Sequence, residues 1–162
     1  MGLVTTERCW VIGIDPGIHG GIAFLGKGCG EAHKMPATER DIWNLLCIKA
    51  GRARAYIEKV NAQPENAVRA AFKFGVGYGG LRMALIAAAI PFEEVTPQKW
   101  QKEFGLLRKK GETLMAKKNR HKAKAQELWP ALKITHAVAD ALLIAEYGRR
   151  QHWAEALTTS SE

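Results

Sequence analysis

The sequence predicts an α/β fold with a mixed sheet, and three observations support this prediction. Strand-like and helix-like segments alternate over the first hundred of the 162 residues. Glycines that follow the first strand-like segment predict an antiparallel hairpin, and the rest of the chain is helix-like. Hydrophobic residues make up 47% of the chain and charged residues 25%. These proportions are typical of globular domains and exclude a disordered tail protein, a collagen-like fibre and a coiled coil.

Five short segments are predicted to be strands: the first, second and fourth are mostly apolar, and the third is a weaker, more polar pattern that Pro36 ends. They span residues 9–14, 22–25, 31–35, 55–60 and 92–95. A helix is expected after Thr38, which Asp41 follows at the capping distance of three residues. The Ala-rich segment 67–90 predicts a helix that breaks at its glycines, residues 75–80.

Three further helices are predicted towards the end of the chain. Thr96 as cap and Pro97 as first helical residue begin one of them. A loop and a helix over residues 113–128 follow. Pro130 separates that helix from a closing helix over residues 135–150, and the chain after Trp153 is polar.

The excess positive charge of the chain lies in one segment. The formal net charge is +8, and ten basic residues against two acidic ones lie between Gln98 and Lys124, so the rest of the chain is balanced. Such a cluster indicates a polyanionic partner. The segment lacks the apolar face of an interfacial helix, which favours nucleic acid over a membrane. The ten basic residues are Lys99, Lys102, Arg108, Lys109, Lys110, Lys117, Lys118, Arg120, Lys122 and Lys124.

Membrane insertion and secretion are not expected. No stretch approaches the roughly 18 uncharged apolar residues of a membrane span, and the first residues lack the pattern of a secretory signal. Cys9, Cys29 and Cys47 are odd in number and unevenly spaced, which predicts reduced thiols. We expect a cytoplasmic protein with one domain over residues 1–153 and a polar tail over residues 154–162.

Three acidic residues stand in apolar surroundings. Asp15 follows one predicted strand, Glu58 lies in another, and Asp140 lies in an apolar helical run. Buried charges are rare unless they are paired or bound to a metal, and hard cations such as Mg²⁺ take carboxylate oxygens. His136 lies four residues before Asp140, so both face one side of the closing helix. With the basic segment, these residues predict a metal site.

Plain structural roles are the alternative for most of these residues. Asp15 could set the turn before Pro16, Glu58 could face water on an edge strand, and His136 could begin a helix or pack in the core. Asp140 fits this alternative least well, because a lone aspartate inside an apolar helix costs stability without a partner.

Several segments resemble the signature motifs of RuvC-type Holliday-junction resolvases. They are IGIDPG at residues 12–17, YIEKV at 56–60 and ADALLIA at 139–145. FKFG at 72–75, YGG at 78–80, VTPQKW at 95–100 and EYG at 146–148 look most like the phage, prophage and organellar branch of that family. The resemblance runs from about Trp10 to Arg150, with the motifs in the expected order.

The resemblance implies a ribonuclease-H-like mixed five-stranded sheet flanked by helices, a homodimer, and Mg²⁺-dependent paired nicking of four-way DNA junctions. By position, Asp15, Glu58 and Asp140 match the metal-binding acids of the family. We expect these three residues and His136 to be both catalytic and metal-ligating, with Mn²⁺ as a substitute for Mg²⁺. In the expected two-metal mechanism Asp15 bridges the ions, Glu58 holds one, and Asp140 with His136 holds the other. The location implied is a bacterial or phage-infected host cytoplasm, with an organelle as the alternative.

Two positions depart from the family pattern. The bacterial enzymes place their fourth ligand three residues before the last Asp, where this chain has Ala137, so His136 must serve from one residue further back. An aromatic residue that often follows the Glu by three residues is Asn61 here. A wedge against junction bases must then come from elsewhere, with Phe72 and Phe74 as candidates and core packing as their alternative role.

The DNA-binding candidates are Lys73, from the FKFG motif, and nine residues of the basic segment. They are Lys73, Lys99, Arg108, Lys109, Lys110, Lys117, Lys118, Arg120, Lys122 and Lys124. Lys117 or Lys118 is expected to neutralise the reacting phosphate. The alternatives to a junction resolvase are a non-catalytic branched-DNA-binding protein and a less selective branched-DNA nuclease. A phosphotransferase of the sugar-kinase or actin type would need a second half of similar size, which 162 residues cannot supply.

Overall fold

Strands and helices follow the predicted order along the residues that a computed structural model describes, 10–60 and 68–159, with side chains described up to residue 152. The strands are β1 (Trp10–Asp15), β2 (Gly21–Gly26), β3 (Cys29–Lys34), β4 (Ala53–Glu58) and β5 (Phe92–Val95). The helices are α1 (Glu39–Cys47), α2 (Val68–Ala87), α3 (Pro97–Glu103), α4 (Leu114–Leu128) and α5 (His136–Thr159). The predicted α/β fold with a five-stranded sheet is confirmed.

The sheet is mixed, and its order brings two acidic residues to one edge. The strands lie in the order β3-β2-β1-β4-β5. The β1–β2 and β2–β3 pairs are antiparallel, as the hairpin prediction requires, whereas β1–β4 and β4–β5 are parallel. Since β1 and β4 are parallel neighbours, their last residues, Asp15 and Glu58, reach the same edge of the sheet.

Each face of the sheet is covered by a different set of helices. Alternate residues of β1 point to opposite faces, so Val11 packs with α3, α4 and α5, whereas Ile12 packs with α1 and α2. Gly13 lets α5 approach β1 closely, because a Cβ at this position would overlap the backbone of Ala141 and Ala145. The close approach places Asp140, next to Ala141, over the end of β1.

The predicted helix starts are largely confirmed. Thr38 Oγ1 accepts a hydrogen bond from the Asp41 backbone N–H at 3.1 Å, and Thr113 caps α4 through Ala116 in the same way. Each cap satisfies one of the free N–H groups in the first turn of its helix. Thr96 precedes α3 without a side-chain cap bond, and Pro97 is the first residue of that helix.

Two predictions about helices are wrong. The helix α2 has no break, although four glycines lie between residues 75 and 80. These glycines keep negative φ angles, and the buried Leu81 and Leu85 anchor the helix after them. The backbone of α5 continues nine residues beyond Arg150, to Thr159, and none of those nine residues is Gly or Pro. The division into a domain ending at residue 153 and a tail stays a prediction.

The structure bears on two smaller predictions. Cys29 and Cys47 are free thiols, and Cys9 lies outside the described residues. No helix in the described ranges is long and apolar enough to cross a membrane. The cellular location stays a prediction.

Candidate active site

Asp15 ends β1 at a tight turn that aims it at a cavity. The backbone of the turn passes so close to the strand end that a Cβ on Gly20 would overlap the Asp15 carbonyl oxygen. The cavity has a volume of about 660 Å³, and Asp15, Lys118, His136 and Asp140 line it. Lys34, Phe74, Ala137 and the turn residues 16–20 complete its wall. Three of the four predicted catalytic residues therefore share one cavity.

Burial and mutual repulsion raise the pKa values of two of the carboxyl groups. Desolvation raises the pKa of Asp15 well above its ordinary value, and the charges of Asp140 and Glu58 raise it further. Lys118 and Lys117 oppose this rise. Burial also raises the pKa of Glu58, against the opposing effect of a hydrogen bond from Trp100. The three carboxylates are thus close enough to feel one another's charge.

The carboxylates of Glu58 and Asp140 each contact a buried ring. Trp100 Nε1 donates a hydrogen bond to Glu58 Oε2 at 2.8 Å. His121 Nδ1 lies 2.8 Å from Asp140 Oδ1. No basic residue stands directly beside Asp140 in the sequence, but in the fold its partner is His121, 19 residues earlier in the chain. In the sequence, the four-residue spacing between His121 and Ala125 is the signal that places His121 on the buried face of α4.

His136 is exposed at the first position of α5, where Asn119 orients it. His136 Nε2 lies 2.9 Å from Asn119 Oδ1. An amide oxygen only accepts, so we assign the hydrogen to Nε2, which leaves the lone pair of Nδ1 free. A histidine that binds a metal through one nitrogen commonly donates its other N–H in this way.

The donor set fits a hard divalent cation, although the side chains are not gathered around one point. In the described part of the chain, no three His, Cys, Asp or Glu side chains form a group that could hold an ion as they stand. Three mutually repelling carboxylates nevertheless need a counter-charge, and Mg²⁺ prefers carboxylate oxygens. Burial first, and the charges of Asp140 and Glu58 after it, raise the pKa of Asp15, and a bound cation would offset both effects.

Basic residues on α4 have two different kinds of surroundings. Lys117 and Lys118 lie on α4 near the carboxylates, and Lys118 lines the cavity. Arg120 instead closes the loop before α4: its Nε and one terminal nitrogen donate to the two carboxylate oxygens of Glu112, both at 2.9 Å. It also donates to the Leu107 carbonyl oxygen at 3.1 Å. Among the DNA-binding candidates, Arg120 therefore has most of its donors engaged within the protein, whereas Lys124 gives a single bond, to Glu127 Oε1 at 2.7 Å.

The two candidate wedge residues have different surroundings. Phe72 is 74% exposed on α2, so core packing does not account for it. Phe74 stacks on Tyr78, with ring centroids 6.4 Å apart, and lines the cavity. Asn61, at the usual wedge position, lies outside the described residues.

Two solved structures share this architecture. A Thermus thermophilus RuvC structure is similar to this chain with a TM-score of 0.54 and 19% sequence identity, and the match covers 84% of this chain and 90% of the RuvC chain. T. thermophilus RuvC in complex with a Holliday junction substrate covers 85% of this chain and 90% of its own, with a TM-score of 0.55 and 20% identity. No protein-family model and no curated protein matches the chain. The fold that the sequence motifs predicted is confirmed by these two comparisons: the chain has the ribonuclease-H-like architecture that the RuvC structures have.

Proposed function

We propose that the chain is a structure-selective DNA endonuclease that resolves four-way junctions by paired symmetric nicks. The observation that carries the proposal is the shared cavity of Asp15, His136 and Asp140, with a lysine in its wall. Glu58 lies close enough to raise the pKa of Asp15. The fold adds support, because one structure with this architecture is RuvC bound to a Holliday junction substrate.

Asp15, Glu58, Asp140 and His136 would hold Mg²⁺, or Mn²⁺ in its place, with Nδ1 of His136 as the nitrogen donor. The metal would supply Lewis acidity and a nucleophile formed from water. Residues of the chain would orient a ligand and neutralise the phosphate: Asn119 fixes the His136 ring, and Lys118 places a positive charge in the cavity wall. A phosphodiester that enters the cavity would thus meet both carboxylates and a lysine in its wall.

DNA would lie along α4 and the loop before it, where the basic segment is concentrated. We keep Lys73, Lys99, Arg108, Lys109, Lys110, Lys117, Lys118, Lys122 and Lys124 as DNA-binding residues and leave out Arg120, whose donors are engaged. Contacts to phosphates release counterions, so we expect junction affinity to fall steeply as salt rises. The junction's shape would decide which substrate is cut.

A cleavage assay tests the proposal directly. Labelled synthetic four-way junction, linear duplex and forked duplex are incubated with the protein in Mg²⁺, in Mn²⁺ and in EDTA. Metal-dependent, symmetric nicks in the junction alone are the expected result. Junction binding without nicking would instead show a non-catalytic branched-DNA-binding protein, and equal cutting of fork and junction a less selective nuclease.

We also propose that two copies of the chain pair through α2. Val68, Phe72, Val76, Met83 and Ile86 are each at least half exposed, and they lie three or four residues apart around Gly79. Helical periodicity places them in one apolar stripe, facing away from the buried Leu81 and Leu85. Gly75 and Gly79 on this stripe have open space around them, which would let a second helix approach closely. Paired nicking needs two active sites, which a dimer supplies.

A charged residue in the α2 stripe should separate the copies. We expect Val76→Asp to halve the mass measured by light scattering and to convert paired nicks into single ones, because a buried carboxylate at the interface is costly. Lys73→Glu, on another side of α2, is the control and should stay dimeric. A wild-type protein that is monomeric at micromolar concentration would contradict the proposal.

A further inference from the structure

Two of the proposed metal ligands are joined by a continuous path of side chains. Glu58, at the end of β4, accepts a hydrogen bond from Trp100 of α3, and Asp140 of α5 contacts His121 of α4. The rings of Trp100 and His121 meet edge to face, with centroids 5.4 Å apart and planes at 77°. Four elements of the fold therefore converge in the order Glu58, Trp100, His121 and Asp140.

The middle of this path is rigid because it is buried. Trp100 is fully buried and His121 is 2% exposed. Both rings are held by the core that α3, α4 and α5 form on one face of the sheet. A ring packed in a dense core keeps one rotamer, so each donor nitrogen occupies a defined place relative to its carboxylate.

We propose that Trp100 and His121 are positioning residues that hold Glu58 and Asp140 at the separation and orientation a divalent cation requires. The inference rests on the proposed function, since it concerns the same metal ligands. Each ring engages one oxygen of its carboxylate, Oε2 of Glu58 and Oδ1 of Asp140. The second oxygen of each group remains available to the cation, and the two carboxylates are prevented from turning away from each other.

The chemistry of the buried position favours this role over simple packing. His121 Nε2 is buried without a hydrogen-bond partner in the described part of the chain, and leaving a polar atom unsatisfied costs folding free energy. An apolar side chain would fill the same space without that cost. The feature that distinguishes histidine here is its Nδ1–H, which is directed at Asp140, because an ionised carboxylate can only accept.

The path also joins the metal ligands to the proposed DNA-binding helix. Lys118, in the cavity wall, lies three residues before His121, so one segment of α4 carries both side chains. The helix that would contact the phosphate is therefore the helix that orients Asp140. Phosphate and metal positions are set by the same rigid element.

Metal binding without DNA tests the inference. Mn²⁺ is titrated calorimetrically into wild type, Trp100→Phe, His121→Leu and His121→Asn. Trp100→Phe keeps a ring but loses the donor, and His121→Leu loses the other donor, so we expect Mn²⁺ affinity to fall about 10–100-fold in each. His121→Asn places an amide N–H near the position of Nδ1 and should restore most of the affinity. Raising Mn²⁺ should also recover cleavage by the two donor-lacking variants.

The controls separate this inference from the proposed function. Trp129→Phe makes the same chemical change at an indole N–H without a partner among the described side chains, and it should bind Mn²⁺ like wild type. Wild type that neither binds Mn²⁺ nor cuts a junction would overturn both proposals. Wild type that binds and cuts, with unchanged affinity in Trp100→Phe and His121→Leu, would overturn only the positioning role. Equal loss in His121→Asn and His121→Leu would also overturn it. If Trp100→Phe does not melt cooperatively, the two His121 variants decide.

Discussion

An Asp15→Asn variant is expected to lose at least about 10³-fold in its rate of Mg²⁺-dependent junction cleavage, while its affinity for the junction stays close to that of wild type. The amide keeps the shape of the side chain but removes the charge at the point where β1 meets the cavity. DNA affinity is expected to come from the lysines and arginines outside this position. Single-turnover cleavage measures the loss, and a mobility-shift titration in EDTA measures binding.

The same variant provides its own folding control. Burial and the charges of Asp140 and Glu58 raise the pKa of Asp15 in the folded protein. The folded state therefore binds a proton that the unfolded chain has released, so metal-free stability falls as pH rises above the ordinary carboxyl pKa. Asn carries no such cost. In EDTA at pH 7.5 we expect Asp15→Asn to melt at a higher temperature than wild type, and the difference to shrink towards pH 4.

Asp140→Asn should show the same separation of cleavage from binding. Its carboxylate lines the same cavity and contacts His121. Mg²⁺-dependent cutting that persists in either aspartate variant would refute the assignment of these residues. A variant that loses junction binding together with cleavage would point instead to a structural role.

Gly13→Ala is expected to destabilise the fold by about 1–3 kcal/mol or more. A methyl group at this position would overlap backbone atoms of Ala141 and Ala145, which cannot turn aside as a flexible side chain could. Helix α5 would have to move away from β1 and carry Asp140 with it. Chemical denaturation measures the free energy of unfolding, and we expect cleavage to fall even where the variant remains folded.

Gly77→Ala is the matched control for that substitution. Gly77 lies within α2 with no atom near its missing Cβ and without a positive φ angle. Alanine should therefore stabilise the protein by about 0.5–1 kcal/mol, through the lower entropy of the unfolded chain. If Gly13→Ala were as stable as Gly77→Ala, the close approach of α5 to β1 would be refuted.

The sheet was predictable because its signals are local. Apolar runs mark β1 and β2, and β5 is found at the predicted residues although two of its four residues are glutamates. The meeting of Asp15 and Glu58 at one edge follows once β1 and β4 are parallel neighbours. The break predicted in α2 is absent because glycine weakens a helix without ending it. The contacts through which Leu81 and Leu85 anchor this helix are long-range, so local sequence signals do not include them.

The partners of the candidate ligands could not be predicted, because they depend on how helices cross. His121 and Asn119 are separated from Asp140 and His136 by 19 and 17 residues. No spacing rule within one helix links such pairs. Arg120 is a similar case: in the sequence it is one more cation in a basic segment, and only the folded loop shows that Glu112 and a backbone carbonyl engage it.

The contact between Arg120 and Glu112 has a consequence for how tightly the basic loop can hold DNA. It ties residues 107 and 112 to α4, and Arg108, Lys109 and Lys110 lie between these two points. The loop has therefore lost much of its conformational entropy during folding, before any phosphate arrives. If the loop were free, the entropy cost of ordering it on binding would weaken its affinity for DNA. If the loop binds DNA as proposed, Arg120 would in this way increase the affinity of Arg108, Lys109 and Lys110 for phosphates that it does not itself contact.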